Sequence, residues 1–524
     1  MSGTKVIFDL VAAQSPSYRG RGIARYSLEF ARAMATYHAE LVGAVVLHPE
    51  LEAPEALDEL AKWATSEPDW QEGAVLHISS AFEPEVPVRT YWPREAARHG
   101  LLTSVTLYDL IPDLFPGWYL EDPGLRRRWR CCREVVRVAD RVFTLSESAR
   151  QDAISLLGVP PPRVTVVGAG TSAAFQRAGS ADAAFELARS SVEGLEKGFL
   201  VYNGAFNPRK NVDRLLEAYA SMPRELVDAH QLVVVGDAPP LTRNHYLVMA
   251  KQLGVGGRVL IPGFVNEDVL VALYQSTALA VYPSLYEGYG LPLIESMACG
   301  APTIAGNNSS LAEILPREAL FEAQDAGAIA QAIVRALTDE GFRAKLLALT
   351  ERELPTWEAV ADRAAGVFEE MARLASKLPP RWRKRPQLAL FGLPPELEEA
   401  LGEVASYDSF ALGAAPADGL SWGAFAELDR WRGGYDAAMF CLPGVGPKEI
   451  GRKEIRAIER FATTWPGRKL ALSGGASSGG GKASAPKFSR LRRSGVELLE
   501  TAASPAETAR LVIEALSRRG QGRP

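Results

Sequence analysis

One stretch of the sequence, residues 278–300, constrains the fold more than any other. It begins with the short apolar run 278–282, which is typical of a strand buried on both faces. A glycine-broken loop follows, and then a predicted helix in which Pro292 suits the first position and Gly300 the position just past the end. Such a strand–loop–helix unit predicts a parallel α/β sheet, and open sheets of this kind bind ligands in the crevice at the carboxyl ends of their strands.

The same stretch places two carboxylates beside that crevice. Glu287 lies in the loop, and Glu295 lies about one turn into the helix, in an E-x7-E arrangement. The free N–H groups at the start of the helix can receive an anion or a sugar hydroxyl. Taken alone, this spacing also fits a charged loop followed by the polar face of a helix.

The length of the pattern decides between these interpretations. Residues 282–300, continued by 301–314 (APTIAGNNSSLAEI), resemble the donor-binding signature of retaining glycosyltransferases with the GT-B fold, the large family 4 group. The resemblance covers roughly residues 1–376. It implies an α/β chain with two Rossmann-like, doubly wound domains facing a cleft.

The alternation of strand-like and helical runs sets the predicted domain boundaries. Residues 1–185 are predicted to form an N-terminal Rossmann-like acceptor domain, and residues 186–355 a Rossmann-like domain for a nucleotide-sugar donor. In the family, the helix predicted over 356–376 crosses back to the first domain. The strand candidates lie at 105–110, 141–146, 163–167, 198–204, 232–237 and 259–263.

A third block follows a proline-rich, basic linker at 377–386. Strand candidates at 387–391, 435–442 and 469–473, with a helical stretch at 447–463, predict a small accessory α/β domain over 387–524 that resembles no family we recognise. Its glycine-rich segment 474–484 fails as a phosphate-binding loop, because Ala476 replaces the required glycine and Ala483 the hydroxyl residue after Lys482. A surface loop is predicted instead.

The charge control that glycosyl transfer requires points to Arg209 and Lys210. Negative charge grows on the departing diphosphate as the donor bond breaks. These two residues follow a strand and the turn at Gly204, where they open a predicted helix. A solvated helix start is the alternative, but cations oppose the helix dipole there unless an anion is bound. The resemblance implies that the pair grips the diphosphate.

Further donor contacts follow from the resemblance. Glu295 is expected to accept hydrogen bonds from the ribose hydroxyls, and Glu287 to contact the hydroxyls of the donor sugar. Val265 matches the position whose backbone contacts the base, and Gly22 belongs to a loop that closes over the diphosphate. The backbone N–H groups that complete the sugar and phosphate contacts are those of Gly288, Tyr289, Gly290 and Leu291.

Three further candidates, Tyr108, Asp109 and His77, lie before residue 110. Tyr108 and Asp109 match a catalytic position often occupied by His-Asp, and a tyrosine donates a hydrogen bond but does not shuttle protons near neutral pH. This departure leaves open the contact with the donor sugar but not the reaction class. His77, at a strand end, is a candidate acceptor contact or a hydrogen-bonded core histidine.

Composition excludes several classes of protein. A formal net charge of −5 argues against a generic nucleic-acid binder. No apolar run is long enough for a membrane helix, and no signal peptide is expected at the amino terminus. The four cysteines have neither metal-ligand nor disulfide spacing, which favours the cytoplasm. Since no Asp-x-Asp triplet occurs, metal-independent transfer with no cofactor is expected.

A basic segment suggests a weak contact with an anionic membrane surface. Six arginines, four of them between Arg126 and Arg130 and a fifth at Arg133, surround Trp129 and aliphatic residues. Trp382 in the linker offers a second contact. The alternative is that Trp129 and the valines face the core while the arginines are solvated.

The sequence therefore predicts a retaining hexosyltransferase, with a nucleotide-sugar donor and a glycan, lipid-linked or protein acceptor. Transfer into a bacterial surface glycan is favoured, with GDP-mannose as the favoured donor and UDP- and dTDP-sugars still open. The alternatives are a non-catalytic assembly subunit with the same fold, or a GT-B epimerase or phosphorylase. A cytoplasmic protein, peripheral at the inner face of the membrane, is expected.

Overall fold

The computed structural model describes residues 5–16, 22–54, 57–70, 74–82 and 101–377, together with five strands between residues 387 and 500. Within these residues the strands form three sheets. The predicted helix at 447–463, the glycine-rich segment at 474–484 and Trp382 lie outside the described residues.

The first sheet has seven strands in the order β3-β2-β1-β4-β5-β6-β7. Its pairings of β1 with β2 and β4, of β2 with β3 and of β4 with β5 are parallel. Strands β1 and β4 are buried along their whole length, as expected when helices cover both faces. The strands are β1 Val6–Asp9, β2 Val42–Val46, β3 Ala64–Thr65, β4 Val75–Ile78, β5 Leu102–Leu107, β6 Arg141–Thr144 and β7 Val164–Val166.

The second sheet has six parallel strands in the order β10-β9-β8-β11-β12-β13. The order reverses between β8 and β11, which are neighbours in the sheet although two strands separate them in the sequence. A reversal of this kind opens a crevice at the carboxyl ends of the two strands. The strands are β8 Leu200–Asn203, β9 Leu232–Val235, β10 Val259–Gly263, β11 Leu279–Tyr282, β12 Thr303–Gly306 and β13 Leu320–Phe321.

Helices connect these strands, and several begin at a polar cap. The side chains of Asp122, Ser146 and Asn266 accept a hydrogen bond from the first turn of the helix that each precedes. The helices are α1 Val11–Gln14, α2 Gly22–Tyr37, α3 Ile111–Leu114, α4 Pro116–Tyr119, α5 Pro123–Val138, α6 Glu147–Leu157, α7 Ala181–Ser191, α8 Val212–Ala220, α9 Arg224–Ala229, α10 Pro240–Gln252, α11 Glu267–Ser276, α12 Leu291–Ala298, α13 Leu311–Ile314, α14 Ala326–Thr338, α15 Glu340–Leu349 and α16 Trp357–Lys377.

The third sheet belongs to the accessory block and is again parallel. Its order is β15-β14-β16-β17-β18, so the order reverses between β14 and β16. This is a doubly wound arrangement, as predicted for an α/β domain. The strands are β14 Gln387–Phe391, β15 Ser406–Phe410, β16 Ala437–Leu442, β17 Arg468–Ser473 and β18 Val496–Glu500.

The chain divides into two compact units that differ from the predicted boundaries. One unit comprises Leu107–Leu120 and Phe143–Ala364, and the other comprises the rest of the chain. The segment that carries Tyr108 and Asp109 therefore belongs to the same unit as the second sheet, although it had been predicted to belong to the first domain. Across the described part of the chain, none of the helices is both long and apolar enough to cross a membrane.

Candidate functional site

The candidate site lies where the second sheet reverses its strand order. Two loops leave the sheet at this point: one follows β8 and carries Arg209 and Lys210, and the other follows β11 and carries Glu287. Because β8 and β11 are adjacent and parallel, their following loops start at the same edge of the sheet. The sheet topology thus brings together residues that are 77 positions apart in the chain.

The loop after β8 is held in place by two asparagines. Asn207 caps the 3-10 turn Pro208–Lys210, its side chain accepting a hydrogen bond from the backbone N–H of Lys210 at 3.3 Å. Asn211 adopts a left-handed conformation with φ 62°, which is uncommon for a residue other than glycine. Its Nδ2 donates to the carbonyls of Pro283 at 3.1 Å and Ala323 at 2.6 Å. Asn211 therefore joins three segments of the unit.

The side chains of the two loops meet in a buried charge cluster, formed by Arg209, Lys210 and Glu287. Lys210 Nζ lies 2.6 Å from Glu287 Oε1, and Arg209 Nη1 lies 2.9 Å from Glu287 Oε2. Each of the three side chains is between 11% and 12% exposed. Arg209 also donates to the carbonyl of Tyr286. The cations that were predicted to grip a diphosphate thus both engage the predicted sugar-binding carboxylate.

Charge and burial act in opposite directions within this charge cluster. Burial raises the pKa of Glu287, but Arg209 and Lys210 outweigh it, and the pKa falls to about 2. Burial lowers the pKa of Lys210, against the attraction of Glu287. The pKa of Arg209 lies above its usual value because Glu287 and Asp109 outweigh burial. Glu287 is accordingly ionised at neutral pH and accepts from both cations.

The backbone around Glu287 is held by neighbouring hydroxyls. The Glu287 N–H donates to Ser309 Oγ at 2.8 Å, and Ser310 Oγ donates to the Glu287 carbonyl at 3.0 Å. On the next residue, Ser146 Oγ donates to the carbonyl of Gly288 at 2.6 Å. These contacts fix the carboxylate's position through its main chain, so that its side chain is directed by the fold and not only by the cations.

Asp109 and Tyr108 approach the same loop at Gly288. A Cβ atom built on Gly288 would lie 2.6 Å from the Tyr108 carbonyl oxygen and 2.9 Å from Asp109 Cβ, so a side chain does not fit there. Asp109 Oδ1 accepts from the N–H of Ile111 at 3.0 Å. Burial raises the pKa of Asp109, with Arg209 opposing. The structure therefore brings the two carboxylates that were predicted to be catalytic, Asp109 and Glu287, close together beside Arg209.

Glu295 lies on α12, where its side chain is 7% exposed. The charge of this carboxylate contributes to raising the pKa of Tyr274, of Tyr282 and of Cys299, so the three residues lie near it. The helix has proline in its first turn, and Gly290 precedes it at φ 99°. Leu291 is the first helical residue, one position before the predicted start.

The other predicted donor contacts are distributed over both units. Gly22 is the first described residue of α2, in the unit without the charge cluster. Gly204 packs against Tyr202, whose hydroxyl would lie 2.5 Å from a Cβ atom on that glycine. Val265 follows β10 and is half-buried, and the hydroxyl of Tyr289 donates to the carbonyl of Ala169 at 2.9 Å.

His77 occupies a core position, which agrees with the second of its two interpretations. It is 1% exposed, and its ring nitrogens lie 2.9 Å from Ser104 Oγ and 3.1 Å from Thr106 Oγ1. Burial lowers the pKa of His77 to about 3, so the ring is neutral at physiological pH. The imidazole is enclosed by the core and has two hydroxyl partners, and the acceptor contact stays a prediction.

The basic segment lies in the helix α5, Pro123–Val138. Trp129 stacks on Phe82 with ring centroids 4.1 Å apart, while Cys132, Val135 and Val136 are buried. Trp129, Cys132, Val135 and Val136 therefore pack within the protein. Arg126 and Arg137 are exposed.

Several residues that hold the site were not predicted from the sequence, among them Asn207, Asn211 and Ser309. The two asparagines carried a usable signal, because Asn is favoured both as a helix cap and in the left-handed conformation. Ser309, at φ 43°, offered no comparable local signal, since its partner is the backbone of a loop 22 residues earlier.

Comparisons with known proteins agree with this geometry. Residues 185–350 match the family model described as glycosyl transferases group 1. The serotype-specific mannosyltransferase WbdA of Escherichia coli is 30% identical over 286 residues, which cover 53% of this chain and 34% of that protein. The O-antigen chain mannosyltransferase B of Escherichia coli is 28% identical over 265 residues, covering 50% of this chain and 68% of that protein.

Among solved structures, the sucrose-phosphate synthase of Thermosynechococcus elongatus has a TM-score of 0.51 at 20% identity, covering 71% of this chain and all of that one. This likeness concerns the fold, and it confirms the predicted α/β architecture of the GT-B type. The chain spans about a third of the length of WbdA, the first of these relatives. Residues 185–350, which carry Arg209, Lys210, Glu287 and Glu295, are thus similar to the glycosyl transferases of group 1.

Proposed function

We propose that the chain is a retaining hexosyltransferase that transfers mannose from GDP-mannose to a hydroxyl of a bacterial surface glycan. The observation that carries this proposal is the charge cluster of Arg209, Lys210 and Glu287 at the strand reversal. The relatives named as mannosyltransferases, one of them of the O-antigen chain, support the choice of sugar and acceptor.

The two cations suit the departing diphosphate. Arg209 and Lys210 are buried together, in a position where a bound diphosphate would share them with the Glu287 carboxylate. In this environment of low dielectric, preorganised cations stabilise growing negative charge more strongly than they would in water. Loss of one such group typically costs about 3–4 kcal/mol at the barrier. Because the protein supplies this charge, we propose transfer without a metal ion and without a cofactor.

Glu287 is suited to orienting the sugar and not to attacking it. Both of its oxygens are engaged by cations, and a pKa of about 2 makes the carboxylate a weak base and a weak nucleophile. We therefore propose transfer on one face of the sugar. The anomeric bond to the diphosphate breaks, and the acceptor oxygen bonds to the anomeric carbon on the same face. The acceptor's proton passes to the departing phosphate oxygen.

Asp109, Tyr108 and Glu295 complete the proposed roles. In this proposal the carboxyl of Asp109, which lies beside Gly288, hydrogen-bonds a hydroxyl of the donor sugar, and the hydroxyl of Tyr108 donates a second bond. Glu295, about one turn into α12, accepts from the ribose hydroxyls in this scheme. The N–H groups at the start of this helix lie towards the diphosphate in this scheme.

Product analysis tests the function. The purified chain is incubated with GDP-mannose, UDP-glucose or a dTDP-sugar and with a bacterial glycolipid extract, and the new linkage is determined by NMR spectroscopy. We expect mannose transfer with the α configuration of the donor preserved, unchanged by EDTA. A β product would refute retention, and loss of activity in EDTA with recovery in magnesium would refute metal independence. Absence of transfer from every donor would refute the function.

We also propose that the protein works in the cytoplasm against the inner face of the membrane. The exposed Arg126 and Arg137 of α5 support this contact, since basic residues near an anionic lipid surface contribute about 1 kcal/mol each. Trp129 does not add to it, because the ring stacks on Phe82. Flotation with liposomes is the test: recovery with anionic but not neutral vesicles at low salt is expected, and equal recovery would refute the proposal.

A further inference from the structure

Three aromatic rings contact one another, and one of them belongs to Tyr286, the residue before Glu287. Phe115 and Trp118 stack face to face, with centroids 4.9 Å apart and an angle of 2° between the ring planes. Phe115 also makes an edge contact with Tyr286, at 6.4 Å and 68°. We call Phe115, Trp118 and Tyr286 the aromatic platform. All three belong to the same compact unit as the charge cluster.

The outer ring of the aromatic platform is accessible and held in a fixed orientation. Trp118 is 46% exposed, although large aromatic side chains are usually far more buried. Its stacking on Phe115 restricts the ring, so that little conformational freedom remains to be lost when a ligand binds. Beside it, a Cβ atom on Gly117 would meet nothing within 4 Å. The surface at Gly117, the residue before Trp118, is therefore open.

Carboxylates border the aromatic platform. The hydroxyl of Tyr286 donates to Asp152 Oδ2 at 2.5 Å. Burial raises the pKa of Asp152, and the nearby charge of Asp113 adds to this effect. Asp113 belongs to α3, directly before Phe115 and the platform. An apolar surface is thus combined with two acidic groups that accept hydrogen bonds.

The aromatic platform is joined to the candidate donor site by direct contacts. Tyr286 immediately precedes Glu287, and its carbonyl accepts a hydrogen bond from Arg209. At the other end of the platform, the hydroxyl of Tyr119 donates to Asn207 Oδ1 at 3.4 Å. A ligand on the platform would therefore bind next to the residues that hold the reacting sugar.

We propose that the aromatic platform, with Asp113 and Asp152, is a subsite for a neutral sugar ring of the glycan acceptor. This inference rests on the proposed function. One face of a hexopyranose presents C–H groups that are apolar and slightly positive, which suits the negative face of an aromatic ring. The hydroxyls at the edge of the sugar donate to carboxylates. The two acids also select against glycans that carry carboxylates or sulfates, because like charges are brought together.

The first test separates acceptor binding from the rest of the reaction. In Trp118→Ala, we expect the KM for a mannose disaccharide acceptor to rise roughly tenfold, which corresponds to about 1.4 kcal/mol, with the KM for the donor unchanged. Trp118→Phe should recover most of the loss, since it restores a stacking ring. Tyr37→Ala is the matched control, because Tyr37 is equally exposed, at 46%, but lies on α2. Equal acceptor KM values in Trp118→Ala and the control would overturn the proposal.

A second measurement does not depend on turnover. Saturation-transfer NMR without any donor should show contact between the protein and methyl α-mannoside, a weaker signal with methyl glucuronide, and loss of both in Trp118→Ala. If no nucleotide sugar binds in calorimetry but the mannoside signal behaves as expected, the proposed function fails and the subsite stands. If donors bind and the mannoside signal is absent, or is the same in Trp118→Ala, the subsite is refuted and the proposed function stands.

Discussion

Replacing Glu287 by glutamine should destabilise the candidate site by a free energy that follows from the lowered pKa of Glu287. The pKa of Glu287 is lowered from its ordinary 4.5 to about 2, and its side chain is only 12% exposed. A tenfold change in a protonation equilibrium corresponds to about 1.4 kcal/mol, so the ionised carboxylate contributes about 3 kcal/mol. Glutamine keeps the shape but removes the charge, which leaves Arg209 and Lys210 buried together without a counter-charge.

This contribution depends on pH in a definite direction. Because the pKa is lowered in the folded state, the stabilisation is fully present above pH 4.5 and is lost as the pH falls towards 2. The wild type and Glu287→Gln should therefore differ by a constant amount near neutrality and converge in acid. A pair of similar geometry on the surface provides the control: Arg214 and Glu217 lie 2.7 Å apart, but both are more than a third exposed. Glu217→Gln is expected to cost less than about 1 kcal/mol.

Amide hydrogen exchange at neutral pH is the assay, because a chain with several sheets need not unfold in one step. The local opening free energy of the loops that carry Lys210 and Glu287 should fall by about 3 kcal/mol in Glu287→Gln. Inorganic pyrophosphate should restore much of it, since the anion supplies the missing counter-charge. If Glu287→Gln loses no more protection than Glu217→Gln, the assignment of these cations to an anion site is refuted.

Three further outcomes are expected. Gly288→Ala should reduce kcat/KM at least tenfold in the transfer assay, because its Cβ would press on Tyr108 and Asp109; Gly257→Ala, where a Cβ meets nothing within 4 Å, is the control and should change little. Glu295→Ala should weaken donor binding by about 1–3 kcal/mol in calorimetry, and unchanged affinity would remove the residue from the site. At the start of α6, the N–H groups of Glu147 and Ser148 donate to the Glu313 carboxylate at 2.8 and 2.7 Å. Glu313→Ala should therefore lower the opening free energy measured by amide hydrogen exchange there by about 1–2 kcal/mol. Full protection in this variant would contradict the expectation.

Local patterns in the sequence predicted the elements around the site. The strand β11, the loop with Glu287 and the helix α12 follow from an apolar run and from the positions of Pro292 and Gly300, which has φ 85°. The strands β14, β16 and β17 were likewise located from apolar runs. These features depend on residues that are close together in the chain, so a single sequence is enough to predict them.

The contacts that bring the site residues together could not be predicted from local sequence patterns. Arg209 and Lys210 reach Glu287 because β8 lies next to β11, and the neighbours of a strand in a parallel sheet are decided by crossovers, not by sequence order. The family resemblance named these residues, but it did not say that they pair with one another. Nor did it place Asp109 against Gly288, which requires the segment after β5 to join the unit of the second sheet.

His77 illustrates a third case, in which the signal was present but was not used. Ser104 and Thr106 lie two positions apart on β5, so their hydroxyls point to the same face of the sheet. Strand β4 pairs with β5, with His77 opposite Ser104. A histidine with two such hydroxyls beside it has hydrogen-bond partners for both ring nitrogens within the core. No ligand is needed to explain a histidine at this position.

The two hydrogen bonds of Asn211 have a consequence for how the site fluctuates. They tie the loop after β8 to the segments at Pro283 and Ala323, so no one of these three segments can move away without breaking a bond to another. Glycine would adopt the left-handed backbone at less strain, but it would remove both of these hydrogen bonds. The loops should therefore open as one cooperative unit with a common exchange rate, and the exchange rates of the segments should diverge once Asn211 is replaced.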